Sequence, residues 1–291
     1  MMVRLGVLLL WLIHFLPFRV LVWIGNTLGL LLYAFAAERR KVGEINLKLC
    51  FPEMSDDARG KLLRDHFMMF SRGLIERTIL WWSSAERISS LIHVEGIEHF
   101  EAIKNKPAIL LTPHFVGMDA GGQWVAQHTD TVCMYANQKN VYMTKLLLQK
   151  RARFRNQHLY SRQQGLRPIL KGMRQGLPFI YPPDQDQGIK DGAFIPFFGV
   201  PAATMTSVPR IAQMTGAKVV PGITRVLPGA EGYVLTFYPA WDNYPSGDDI
   251  ADAHRMNAFI EDRAREMPEQ YFWLHKRFKT RPEGEESFYP E

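Results

Sequence analysis

From Leu91 onward, short apolar runs alternate with longer stretches of helical spacing, and this alternation constrains the fold more than any single motif. Leu91–Val94, Ala108–Thr112, Thr131–Tyr135, Phe179–Tyr181, Lys218–Ile223 and Tyr233–Tyr238 read as strands. Asp119–Gln127, Val141–Arg155, Leu166–Gln175, Ser207–Thr215 and Asp248–Met267 read as the helices between them. Such alternation predicts an α/β fold, a central mixed sheet flanked by helices. Ahead of it, Ser55 is a candidate N-cap for a helix running to about Ser83, with Trp81 and Trp82 read as core. No internal repeat, low-complexity stretch or linker divides residues 41–291, which are read as one domain.

The first 40 residues are of another kind. Leu5 to Phe18 and Val20 to Ala37 are nearly all apolar, with Arg19 between them and Asn26 the main polar interruption. No small-x-small cleavage site follows the first run, so a signal peptide is disfavoured. Each run is short for a span, which needs about 20 residues. One long span, a hairpin and an interfacial helix all remain open, with a break expected at Pro17 and Arg19. The segment is read as a membrane anchor, and Arg39, Arg40 and Lys41 behind it place the rest of the chain on the cytoplasmic side.

Charge narrows the partners. The excess of Lys and Arg gives +6 and a pI near 9.3, which suits a phospholipid surface, an acidic protein or nucleic acid. A nucleic-acid reading needs aromatic and basic residues interleaved on a soluble domain, and the apolar N-terminus argues against it. Two distant cysteines, Cys50 and Cys133, exclude a disulfide framework and a zinc ribbon. No Rossmann fingerprint or P-loop is present, so no nucleotide cofactor is implied, and no metal site is read.

The chemistry centres on Thr112-Pro113-His114-Phe115-Val116-Gly117-Met118-Asp119. A histidine beside a carboxylate can take a proton from a hydroxyl, because the carboxylate stabilises the imidazolium. Five residues apart on one helix, the two side chains would point about 140° away from each other. They can meet if His114 lies on the loop after a strand and Asp119 in the next helix's first turn. The bland alternative is a histidine that caps a helix. No serine or cysteine stands at a nucleophile position nearby, which points to a hydroxyl on the substrate.

Three further segments stand out. Lys145, Lys150, Arg151, Arg153, Arg155 and Arg162 form a basic stretch, mostly a solvated face, from which Arg162 is the best candidate for gripping an anionic headgroup. Asp184, Asp186 and Gly188 lie in a loop directly after a strand; orienting a cationic or hydroxyl-bearing partner competes there with an incomplete magnesium site. Phe194–Ala202 is too proline-rich for a central strand, and reads as a loop over the core or as the lining of an acyl groove.

Taken in order, these segments resemble the bacterial lipid A late acyltransferases, the lauroyl/myristoyl transferases. The resemblance runs from about Pro17 to Glu283 and is carried by Asn46-Leu47, Cys50 to Ser55, His114-x4-Asp119, Pro183 to Gly188, Phe194 to Gly199, Thr215-Gly216-Ala217 and Pro268 to Pro282. The His-x4-Asp element alone is shared with glycerolipid acyltransferases. Members often carry glutamate where this chain has Asp119. The resemblance implies that His114 is a general base on a hydroxyacyl hydroxyl of the Kdo-bearing lipid A precursor, with Asp119 holding its tautomer. It implies an acyl-acyl carrier protein donor, oxyanion donors among the N–H groups of Gly117–Gly122, Arg162 on substrate phosphate or sugar, no cofactor, and a site at the bacterial inner membrane. Acylation of glycerol phosphate or lysophosphatidate, and non-catalytic lipid binding, are the competing functions.

Overall fold

A computed structural model describes residues 2–290. Two apolar helices open the chain, α1 (Met2–Ile13) and α2 (Phe18–Phe35), with the break at Pro17 where it was expected. Then come α3 (Ala37–Cys50) and the long α4 (Asp56–Trp82), which Ser55 caps by accepting the Ala58 N–H at 3.2 Å. The expected boundary at residue 40 falls inside α3. Helix α5 (Ala85–Ser89), strand β1 (Ile92–Glu95), α6 (Ile97–Ile103), β2 (Ala108–Leu111), α7 (Met118–His128), β3 (Thr131–Tyr135), α8 (Val141–Arg151) and β4 (Gln157–Ser161) follow. After a 3₁₀ turn at Arg162–Gln164 come α9 (Arg167–Arg174), β5 (Phe179–Tyr181), β6 (Gly192–Phe197), β7 (Val200–Met205), α10 (Ser207–Thr215), β8 (Lys218–Val226), β9 (Tyr233–Phe237) and α11 (Asp249–Glu266).

Seven strands make one mixed sheet in the order β1-β9-β8-β2-β5-β3-β4, parallel except for the β8–β9 pair. Strand β2 is central and buried along its whole length, as an apolar run covered on both faces must be. Its alternate residues feed two cores. Ala108 and Leu110 join the core that includes α4 and α7, whereas Ile109 and Leu111 join the one that includes α9, α10 and α11.

Two expectations need correction. The helix from Val141 ends at Arg151 rather than Arg155, because the next residues are drawn onto the α4 end and α7. Arg153 donates to the Leu80 and Ser83 carbonyls, and Arg155 to that of Gln127. The chain then forms β4, the sheet's edge, from Gln-His-Leu-Tyr-Ser, a run without apolar alternation. Phe194–Ala202 belongs to a separate antiparallel hairpin, β6–β7, turned by Phe198 and Gly199 at φ 51° and 75°.

The apolar N-terminus is docked on the domain. A Cβ on Gly25 would stand 2.7 Å from Arg72 Cα, and one on Gly29 would stand 2.5 Å from Met68 Cα. As the α2 number rises by four, the α4 number falls by four, so the two helices run antiparallel in close contact. Beneath them Arg72 pairs with Glu76 at 2.8 Å, and Glu76 accepts the Tyr233 hydroxyl at 2.6 Å. The outer faces of α1 and α2 stay exposed, with Trp23 at 67% and Phe35 at 81%. Helix α2 is long and apolar enough to cross a membrane.

Candidate active site

Strands β2 and β5 pair in parallel, with Leu111 opposite Tyr181. Three residues beyond each lie His114 and Asp184, so both hang from the carboxyl ends of adjacent parallel strands, where open α/β sheets place ligands. The pairing offset carries straight into the loops. Asp184 accepts the His114 backbone N–H at 3.0 Å through Oδ2, and its Oδ1 lies 2.7 Å from His114 Nδ1.

A carboxylate on Nδ1 fixes that nitrogen as the protonated one and leaves the Nε2 lone pair free. Asp184 is buried, which alone would push its carboxyl up; the charge and hydrogen bonds of His114 outweigh burial and hold it below the usual carboxylate range. The C-terminal tail braces the loop, since the Phe272 N–H donates to the His114 carbonyl and the Val116 N–H to that of Gln270. Tyr271 is buried against Asp184 and Phe115.

Asp119 occupies the first turn of α7, as expected, but it is not the group on Nδ1. Its carboxylate pairs with Arg77 of α4 and lies 3.9 Å from Arg151 of α8. Burial would raise its carboxyl, and these two guanidinium groups lower it on balance. The physical reason is geometric: α7 turns away from the loop and delivers Asp119 between α4 and α8, while the β2–β5 pairing brings Asp184 to the imidazole.

The remaining predicted residues separate. Asp186 is buried and accepts from Gly188 N, Thr280 N and Thr280 Oγ1 at 2.9, 2.8 and 2.8 Å, while its own N–H donates to His275 Nε2 at 3.1 Å. It ties the loop to the tail, buried and bonded on both carboxylate oxygens. Gly188, at φ 87°, makes the turn that closes this arrangement. His275 is thereby held neutral, its pKa lowered to about 4 chiefly by burial. Arg162 is exposed and donates to Gln187 Oε1 at 2.6 Å.

A cavity of about 280 Å³ joins these groups. His114, Asp119, Arg151 and Arg162 line it together with Met118, Gly122 and Ala126 of α7, Leu147 and Leu148 of α8, and Cys133 of β3. A Cβ on Gly122 would meet nothing within 4 Å, so the absence of a side chain there is cavity space. The Thr112 hydroxyl, buried and without a partner, lines the same wall. No residue of Phe194–Ala202 lines it; Phe197 and Ala202 are wholly buried in the core, which removes that segment as the groove lining. At the start of α7, the N–H groups of Met118, Ala120 and Gly121 bond to Phe115 and Gly117 carbonyls, leaving only those of Gly117 and Asp119 open to a ligand there.

Sequence reasoning missed Arg77, Tyr271 and the Asp184–His114 pair. The signal for the last was present, because both residues stand three positions beyond apolar runs that prove to be neighbouring strands.

The family model described as bacterial lipid A biosynthesis acyltransferase matches residues 1–280. Among curated proteins, the chain is 35% identical to a lipid A biosynthesis lauroyltransferase of Escherichia coli strain K12, over 98% of this chain and 94% of that one. It is 31% identical to the palmitoleoyltransferase of the same strain, over 98% and 92%. For the myristoyltransferase of that strain the identity is 30%, over 84% and 77%.

Proposed function

The chain belongs to the bacterial lipid A biosynthesis acyltransferases, and from that premise we propose that it moves a laurate or myristate chain from acyl-acyl carrier protein to a hydroxyacyl hydroxyl of the Kdo-bearing lipid A precursor. The observation that carries the catalytic part is the His114 imidazole, held on Nδ1 by a buried carboxylate at the wall of a cavity. Nε2 takes the hydroxyl proton, Asp184 stabilises the imidazolium, and the substrate oxygen attacks the thioester carbonyl. Collapse of the tetrahedral species breaks the C–S bond and expels the thiolate, which takes the proton back from the imidazolium. The donor is already an activated ester, so the scheme uses no metal or nucleotide. The open Asp119 N–H and the Thr112 hydroxyl are candidate oxyanion donors.

Arg151 and Arg162 face the cavity and suit a phosphate or sugar on the acceptor, with Asp119 and Arg77 keeping Arg151 in place. The acyl chain occupies the apolar depth between α7 and α8. The exposed faces of α1 and α2 rest in the inner membrane, and the catalytic domain lies on the cytoplasmic side beyond Arg39, Arg40 and Lys41. The test is turnover by purified enzyme with lauroyl- and myristoyl-carrier protein, on the lipid A precursor and on lysophosphatidate. Transfer only to the glycerol acceptor, or no transfer at all, would sink the proposal.

A further inference from the structure

Between Asp130 and Asp184 the chain contains no carboxylate side chain, against ten lysines and arginines. The whole chain carries only +6, so its excess positive charge is concentrated in this one segment. Surfaces ordinarily intersperse the two signs, and a one-signed field of this size attracts an anionic partner. The segment folds as β3, α8, β4, the 3₁₀ turn, α9 and β5, and all of these but α9 contribute residues to the lining of the catalytic cavity.

Within it the cations divide. Arg151 reaches Asp119; Arg153 and Arg155 are pinned to backbone carbonyls; Lys150 lies over the Trp82 ring. Arg167, Lys171 and Arg174 are different. Spaced i, i+4 and i+7, they form a single exposed stripe on α9, while Ile169 and Met173 bury the other side. None of the three has a carboxylate within 4 Å among the described residues. Arg162 and the exposed Leu166 continue the stripe to the cavity.

We propose that this α9 face is the docking surface for an acidic protein that carries the acyl thioester to the cavity; the proposal rests on the carrier-dependent donor given above. A protein fits better than a lipid surface. Twelve of the nineteen exposed large apolar side chains lie on α1, α2 and the turn between them, whereas α9 and its approach contribute only Leu166. Helix α9 also packs into the core on the Ile109 and Leu111 face of the sheet, away from the Leu110 face where Leu21 of α2 packs. A mostly polar, cationic stripe with one apolar contact suits a small acidic helix.

The test uses full-length enzyme carrying Arg167→Glu, Lys171→Glu and Arg174→Glu together, with lauroyl-carrier protein and with lauroyl-pantetheine as donors. KM for the carrier donor is expected to rise at least about tenfold and to lose its salt dependence, with kcat and the small-donor kinetics unchanged. An unchanged KM, or an equal rise for both donors, overturns the proposal. So does an equal rise in Lys106→Glu/Lys218→Glu, which alters charge at the amino ends of the central strands β2 and β8. If the variant instead loses binding to anionic phospholipid vesicles while keeping carrier binding, the face is a lipid contact and the proposal fails. Should wild-type enzyme turn over no thioester, the catalytic proposal falls separately. Direct titration with acyl-carrier protein then decides docking: saturable binding lost in the triple variant supports it, and no wild-type binding refutes it.

Discussion

Replacing Asp184 by asparagine separates the pairing seen in the fold from the one that His-x4-Asp spacing suggests. The carboxylate serves two donors on one residue, His114 N at 3.0 Å and His114 Nδ1 at 2.7 Å. An amide offers only one acceptor atom. Either the backbone bond is lost, or the –NH2 faces Nδ1 and forces the tautomer with its proton on Nε2, which abolishes the base. Loss of a hydrogen bond to a charged group costs about 1.5–3 kcal/mol, or roughly 10- to 150-fold. The wrong tautomer costs up to about 10⁴-fold in kcat where the same arrangement has been dissected in a serine protease. Asp184→Asn should therefore lower kcat by about 10- to 10⁴-fold, depending on which of the two arrangements is adopted, while KM for both substrates moves little. Asp119→Asn should chiefly raise acceptor KM, because it releases Arg77 and Arg151 rather than the imidazole. Steady-state transfer to the radiolabelled acceptor, with circular dichroism as the folding check, measures both. If Asp119→Asn abolishes kcat and Asp184→Asn keeps more than a tenth of it, the geometric assignment is wrong.

Three other perturbations follow from the same structure. Gly122→Leu should fill cavity space without a clash and shift donor preference toward shorter chains, at about 1–3 kcal/mol per excluded methylene, read by competition between thioesters of different length; unchanged preference would place the acyl chain elsewhere. His66 is fully buried and its pKa is lowered to about 4, mainly by burial, and that of His275 likewise. Both fold in the neutral form, so their contribution is complete above the ordinary pH 6.5 and is lost as pH falls toward 4, on the order of 3 kcal/mol for His66; a Tm flat from pH 7 to 4.5 would contradict this. Gly29→Ala should destabilise by about 1–3 kcal/mol because even a Cβ meets the α4 backbone, whereas Gly6→Ala, in open space, serves as the neutral control; equal melting temperatures in detergent would refute the close α2–α4 contact.

The sequence revealed elements better than contacts. Strands β2, β3 and β5 and helices α4, α7 and α10 are bounded by local signals: apolar runs buried on both faces, a serine cap, a proline before a histidine. Strand β4 carries no such signal, since an edge strand of Gln-His-Leu-Tyr-Ser has one apolar face to bury and little to bury there. His114 was legible because its loop is local. Its partner was not, because Asp184 is 70 residues away and reaches it only through the order of strands in the sheet. Asp186 shows the converse. Two carboxylates in one loop look alike in sequence, yet one faces the imidazole and the other is consumed by Thr280 and Gly188.

Helix α4 links the membrane-facing end to the chemistry. Its residues Met68 and Arg72 receive α2 at Gly29 and Gly25, Glu76 anchors it to β9 through Tyr233, and Arg77 grips Asp119 at the cavity. Five residues separate Arg72 from Arg77, about 7.5 Å along the helix axis. A helix that carries a buried Arg–Glu pair is costly to place in hydrocarbon, and α2 is bound along it, antiparallel. One face of α2 is fastened to α4 and the other is apolar and exposed, which is the face proposed above to rest in the membrane. Helix α4 thus joins the exposed apolar face of α2 to the carboxylate at the cavity wall.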